Sequence, residues 1–364
     1  MPISDYFAKT YADARGKFTA AARAAGAVTT LYELPGHKGP EGEVLAVDVA
    51  TLGPDGASNA LVLISGTHGV EGFCGSGCQV GYLTDRLHDA LPPDTRSILI
   101  HALNPYGFAW LRRANEENVD LNRNFQDFAQ ALPGSTAYEE VHDLLVPPDW
   151  DGSGSQTADS ALKNYIETRG LRGLLTAVQG GQYSRPNGLF FGGSRPAWSN
   201  EILRRILAEH LPMEVKRMAV IDLHTGLGPP GYGEPIYVGP ADTNRDRVKT
   251  WFGPEVKDPS EGDSASAPIT GSVPQAFLSL FPAVEVTPLS LEFGTLSLPS
   301  ILTALRGDHW LHAIEGRETP LREEIKVRIR EAFYIDTSQW KAAVYGRTAD
   351  FVWRVARGLG RPQT

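Results

Sequence analysis

Residues 61–73 constrain this chain more than any other stretch. Leu61, Val62, Leu63 and Ile64 form a continuous apolar run, as in a fully buried strand. The run ends abruptly in Ser65-Gly66-Thr67-His68-Gly69-Val70-Glu71-Gly72. A buried strand that leaves the sheet through glycines while carrying a histidine and a glutamate is placed as α/β enzymes place their chemistry. At a spacing of three, both side chains can reach one metal ion from a single tight turn. Zinc accepts imidazole nitrogen and carboxylate oxygen at about 2.0–2.2 Å. His-x-x-Glu alone is a common pair, and a solvated loop is the plainer reading until later strand ends supply a third ligand, a base and a positive charge.

Composition bounds the classes of function. The chain has 364 residues, 41% hydrophobic and 21% charged, enough for a large core. A net charge of -9 argues against a nucleic-acid partner or an anionic membrane surface. No apolar run approaches the roughly 20 residues of a membrane helix. The start, Met1-Pro2-Ile3-Ser4-Asp5-Tyr6, lacks a basic region followed by an apolar core, so no secretory signal is expected. Cys74 and Cys78 are read as small buried residues just after the glycine turn, which fits a reducing cytoplasm.

Helices are expected over 5–25, from the turn to about residue 90, and over 163–178, 200–211, 300–316, 320–333 and 338–357. Strands are expected over 28–34, 43–52, 59–65, 96–103 and 216–223, the second with Val44, Ala46, Asp48 and Ala50 on one face. His37 is read as an exposed turn residue, and His101 as a hydrogen-bonded core residue. Residues 131–200 look like an insertion into a chain otherwise read as one domain over 1–364. Its glycine-rich segments around 180–188 and 192–194 lack phosphate-loop spacing and suggest a substrate-shaping lid.

Two later strand ends repeat the first device. One is Ile221-Asp222-Leu223-His224-Thr225-Gly226, the other Leu289-Ser290-Leu291-Glu292-Phe293-Gly294. A carboxylate such as Glu292 at an apolar strand end is costly unless it is paired or used. A fourth stretch offers Arg112, Arg113, Asn122 and Arg123, although these arginines could equally pair with Glu116, Glu117 and Asp120 on the surface. Three protein ligands with an open position form a catalytic rather than a structural zinc pattern. A free carboxylate beside it can take a proton from water, and an arginine can stabilise an oxyanion.

The ordered set of motifs resembles the zinc carboxypeptidase A superfamily (the M14 metallopeptidases) and its succinylglutamate desuccinylase/aspartoacylase branch. It is most like the DUF2817 subgroup. The motifs are Gly66-Thr67-His68-Gly69-Val70-Glu71-Gly72, Asn104 to Arg113, Asn118 to Phe125, Gly181-Gln182-Tyr183, Asp222 to Gly228 and Leu291 to Thr295. The resemblance implies a three-layer α/β fold with a mixed, mostly parallel sheet of about eight strands. It implies one Zn2+ held by His68, Glu71 and His224, with Glu292 as general base. Asn122 and Arg123 would grip a substrate carboxylate, and Arg113, or failing it Arg112, would polarise the scissile carbonyl. Asp120, and by its strand spacing Asp222, would be outer carboxylates orienting the histidines.

The expected activity is hydrolysis of an amide bond in a small peptide, or alternatively in an N-acyl amino acid. A non-catalytic binding protein on the same fold is the remote alternative, and an oligomer is left open. One departure stands out. Digestive carboxypeptidases carry a mobile tyrosine between the last histidine and the catalytic glutamate, and residues 250–280 contain none. Tyr232 and Tyr237 fall early in that interval.

Overall fold

A computed structural model describes residues 2–240, 242–313 and 318–361. Its strands are β1 (Val28–Lys38), β2 (Val44–Leu52), β3 (Asn59–Ser65), β4 (Thr95–His101), β5 (Arg217–Pro230), β6 (Gly233–Ile236) and β7 (Glu285–Gly294). Its helices are α1 (Tyr11–Ala24), α2 (Gly72–Thr84), α3 (Pro105–Ala109), α4 (Thr136–Leu145), α5 (Ser153–Gln179), α6 (Trp198–His210), α7 (Thr243–Phe252), α8 (Val273–Leu280), α9 (Leu298–His312), α10 (Arg322–Phe333) and α11 (Ser338–Leu359). The expected helix over 300–316 ends at His312 within the described residues, and 314–316 lie outside them.

The strands form one mixed sheet in the order β1-β2-β4-β3-β5-β7-β6. The central pairs β4/β3, β3/β5 and β5/β7 are parallel, while the pairs β1/β2, β2/β4 and β6/β7 are antiparallel. The described residues thus give seven strands rather than about eight, and the parallel character is confined to the middle. That middle is where a strand must be covered on both faces, which explains the unbroken apolar runs. Leu61 and Leu63 pack toward α1, α2, α7 and α11; Val62 and Ile64 pack toward α6 and α8. β2 does not alternate as expected. It is buried along nearly its whole length, because it too lies inside the sheet with helices on either side.

β5 is longer than its apolar run suggests, continuing through His224 and the glycines to Pro230 alongside β7. Within 131–200, α4 and α5 pack with α9 and α10 on a third apolar cluster, which also takes in Val70 of the first glycine turn. α5 starts ten residues earlier than its periodicity suggests and breaks at Gly170, whose φ of 75° no regular helix allows. Among the described residues no helix is long and apolar enough to cross a membrane. Cys74 and Cys78 are buried free thiols on α2, and burial pushes the Cys74 thiol up.

His101 is fully buried at the end of β4. Its Nε2 lies 2.9 Å from Ser76 Oγ, and its ring stacks on Phe18 at 4.4 Å between centroids. Burial, aided by the nearby Arg15 charge, lowers its pKa from 6.5 to about 3. The unfolded chain therefore takes up this proton first as pH falls, and the fold loses stability from pH 6.5 down to about 3. Denaturant titrations at pH 6 and pH 5 should show the wild type losing about 1.4 kcal/mol more per pH unit than His101→Leu. Equal pH slopes for the two proteins would refute the assignment.

Candidate metal centre

The first glycine turn is held by close backbone packing. β3 ends at Ser65, and His68 precedes a short 3-10 turn, Gly69–Glu71, that leads directly into α2. A Cβ on Gly69 would lie 2.0 Å from the carbonyl carbon of Gly107, so only glycine fits there. The turn's amides are taken by the loop after α3. Val70 N–H donates to Arg112 O at 2.8 Å, and Gly69 N–H to Arg113 O at 3.3 Å.

β5 lies beside β3, and this brings His224 over the turn. Glu71 then bridges the two imidazoles: Oε1 is 2.8 Å from His68 Nδ1 and Oε2 is 3.0 Å from His224 Nδ1. Thr225 N–H also donates to Glu71 Oε2, at 3.1 Å. One ligand atom from each of His68, Glu71 and His224 lies within 4.8 Å of the others, and all three residues are buried. The outer ring nitrogens face carboxylates. His68 Nε2 is 3.2 Å from Asp120 Oδ1, and His224 Nε2 is 2.8 Å from Asp222 Oδ2. Outer carboxylates keep the proton on Nε2, leaving Nδ1 as the atom each ring offers a cation. Thr67 Oγ1–H in turn donates to Asp222 Oδ1 at 2.8 Å.

The electrostatics fit a cation at the point of convergence. Burial works against charge on Glu71, yet the two imidazoles hold its carboxyl well below the usual range. Burial likewise opposes charge on His224, and Asp222 and Glu71 overcome it, raising that imidazole well above its ordinary value. Asp120 is buried, and Arg113 and Arg123 hold it well below its ordinary value. Four carboxyl groups (Glu71, Asp120, Asp222 and Glu292) face two guanidinium groups (Arg113 and Arg123) in this small volume. A divalent cation would be held among these groups, and a donor set of two imidazoles and one carboxylate suits zinc.

Glu292 sits on β7 directly opposite His224 in the strand register. It is only partly buried, and its Oε1 accepts the Leu227 N–H at 2.9 Å. Enclosure by protein, followed by repulsion from Glu71, pushes its carboxyl up to about 7. Arg113 reaches the same centre: its Nε donates to Asp120 Oδ2 at 2.9 Å, and its Nη1 to Glu71 Oε1 at 3.2 Å.

Several expected residues stand differently. Arg112 points away from the His68–Glu71–His224 cluster, toward Asp308 at 3.4 Å and Asn118 at 3.2 Å. That acid also holds Lys326 at 2.6 Å, so Arg112 belongs to a separate buried ion cluster. The Asn122 side chain is occupied by His224 Nε2 (3.2 Å) and the Val273 N–H (2.9 Å). Arg123 is 3% exposed and donates to the carbonyls of Gln179 and Asn122. Neither early tyrosine lies at the ligands. Tyr237 Oη–H donates to Pro240 O, and the exposed Tyr232 lies under Arg347. Sequence reasoning missed Phe190, whose ring lies 5.0 Å from the Arg113 guanidinium carbon. The only signal for it was its place beside the glycine-rich segment.

Fold and site together define a class: a three-layer α/β protein with a buried His-Glu-His cluster at the carboxyl ends of its central parallel strands. Residues 7–347 match the family described as "Protein of unknown function (DUF2817)", and the chain belongs to that family. No curated protein matches it. Similar solved structures include thrombin activatable fibrinolysis inhibitor, at 13% identity over 92% of this chain and 76% of that one, with a TM-score of 0.48. Carboxypeptidase A from Helicoverpa armigera is 13% identical over 89% and 74% of the two chains, with a TM-score of 0.43. An aspartoacylase family protein from Mesorhizobium loti is 15% identical over 80% and 68%, with a TM-score of 0.36.

If Asp222 orients His224, Asp222→Asn should weaken zinc affinity about 10- to 100-fold, read by chelator competition. His224→Ala should lose stoichiometric metal altogether. Zinc affinity unchanged in both variants would remove His224 from the metal site.

Proposed function

We propose that this protein is a metal-dependent hydrolase, with zinc as its ion, that cleaves an amide bond in a small carboxylate-bearing substrate. The observation that carries this reading is the convergence of the two Nδ1 atoms and Glu71 at one point, flanked by Glu292 and Arg113. Zinc bound there would supply Lewis acidity and water of lowered pKa.

The chain's own residues do the rest. Glu292, with a proton affinity close to neutral, accepts the proton of the attacking water and returns it to the leaving amine. Arg113 donates to the carbonyl oxygen as negative charge develops there. Asp120 holds both His68 and Arg113, so it fixes a ligand and an oxyanion donor with one carboxylate. Asp222 fixes the other imidazole, His224. The substrate's carboxylate is drawn to the Arg113 and Arg123 side of the cleft. With 16% of its side chain exposed against 4% for Arg123, Arg113 is the one of the two that reaches further into the cleft. The buried Arg123 and the absence of a late tyrosine favour an N-acyl amino acid over a peptide with a free C-terminus.

Glu292→Gln should retain stoichiometric zinc and lose about 10²- to 10⁴-fold in kcat on whichever substrate a panel of dipeptides and N-acyl amino acids identifies. Metal content and rates measured on the same preparation check this. Full activity in Glu292→Gln would reject the reading.

A further inference from the structure

The third apolar cluster contains more open space than a packed core needs. α5 and α9 diverge around a groove of about 480 Å³. Leu162, Ile166 and Val178 of α5 line one side, Ile301 and Leu302 of α9 the other, and Phe190 the inner end. Its volume falls within the ~300–1,000 Å³ usual for small-molecule sites. From Leu162 to Val178 the groove follows sixteen residues of α5, about 24 Å at an unbroken helical rise and somewhat less across the Gly170 break. That is several times the reach of any amino-acid side chain. Of the cations along its wall, Arg306 is already committed to Asp159 at 2.6 Å and to the Leu144 and Leu145 carbonyls, and Lys163 is exposed, as is Glu167 one helical turn further on.

The inner end adjoins the metal ligands. Val70, between His68 and Glu71, packs in the same apolar cluster as Leu174, Val178, Phe190 and Leu305. Phe190 is the junction, with its ring 5.0 Å from the guanidinium carbon of Arg113 and 6.0 Å from that of Arg123. Its backbone is left-handed, with φ of 55°, a conformation that an aromatic residue adopts only when its surroundings enforce it. The enforcing bonds are present: Gln182 N–H donates to Phe190 O at 3.2 Å, and Asp120 N–H to Phe191 O at 2.7 Å. The acid that orients His68 and Arg113 is thus also the residue whose amide pins the Phe190 segment.

We propose that this groove is the acyl-chain site, and that the substrate is an N-acyl amino acid with a long unbranched aliphatic chain. The inference rests on the hydrolase reading and narrows it. The chain lies between α5 and α9, the amide reaches past Phe190 to Glu292, and the carboxylate stays with the arginines. In the reaction the amide C–N bond breaks and water oxygen bonds to the acyl carbon. A water proton passes to the amine, releasing a fatty carboxylate and the amino acid.

Two measurements on the zinc-loaded full chain test this. In the first, calorimetric binding of dodecanoate is compared with hexanoate in wild type, Leu302→Glu and Ile166→Glu. Both substituted side chains are only partly buried, and thermal melts report whether each variant is folded. In the second, kcat/KM is compared for N-dodecanoylglycine and N-acetylglycine. The wild type should favour the longer partner by about 100-fold or more in each comparison, from methylene burial alone. The binding preference should fall below about tenfold in either folded variant, since a buried carboxylate opposes the chain. Equal binding of dodecanoate and hexanoate, or a preference that survives both substitutions, overturns the proposal. Length-dependent binding with no hydrolysis of either N-acylglycine sustains the groove and sinks the hydrolase reading instead.

Discussion

The Glu71 carboxylate is the interaction on which the rest of the molecule's polar architecture depends. It is 1% exposed, and a carboxylate in that position is tolerated only if nearly every lone pair finds a donor or a cation. Its partners come from three places: His68 in its own turn, Arg113 in the loop after α3, and His224 with the Thr225 amide on β5. Those segments meet because β3 lies between β4 and β5 in the sheet. The parallel middle of the sheet and the buried charge network are therefore one construction. Slipping β5 by one residue against β3 would turn His224 to the other face and leave Glu71 without its second imidazole.

The same network shows what was legible from residue types alone. His68, Glu71, His224 and Glu292 interrupt apolar runs at strand ends, and charge at such places demands a reason, so local sequence announces them. The central strands were readable because burial on both faces leaves continuous apolar runs in them, such as 61–64, 98–100 and 218–221. What resisted reading depends on partners distant in sequence. The continuation of β5 to Pro230 comes from pairing with β7, and the glycines there disguised it as a turn. The early start of α5 rests on Asp149, which accepts the Gly154 and Ser155 N–H groups, and on packing against α4 rather than on its own apolar spacing. Phe190 carries no chemical signal of its own, and its left-handed backbone follows from bonds to Gln182 and from the neighbouring Asp120–Phe191 bond.

The three arginines of this region show how burial and partner geometry divide labour among chemically identical groups. Nothing in Arg112-Arg113 says which guanidinium faces the metal ligands. The loop decides it because both backbone carbonyls accept N–H groups of the glycine turn, after which the adjacent side chains diverge. Arg112 finds Asp308, and Arg113 finds Asp120 and Glu71. Arg123 then meets the end of α5, where the Gln179 carbonyl is among those a helix leaves without an internal partner. Its charge is spent on capping that helix and offsetting Asp120. The 131–200 segment therefore does more than pack against α9 and α10. By ending α5 on Arg123 it withdraws a cation from the cleft and leaves Arg113 as the more exposed of the two beside Phe190. The proposed ligand, with a single anionic end and a long uncharged remainder, matches a cleft in which the more exposed guanidinium stands next to an apolar wall.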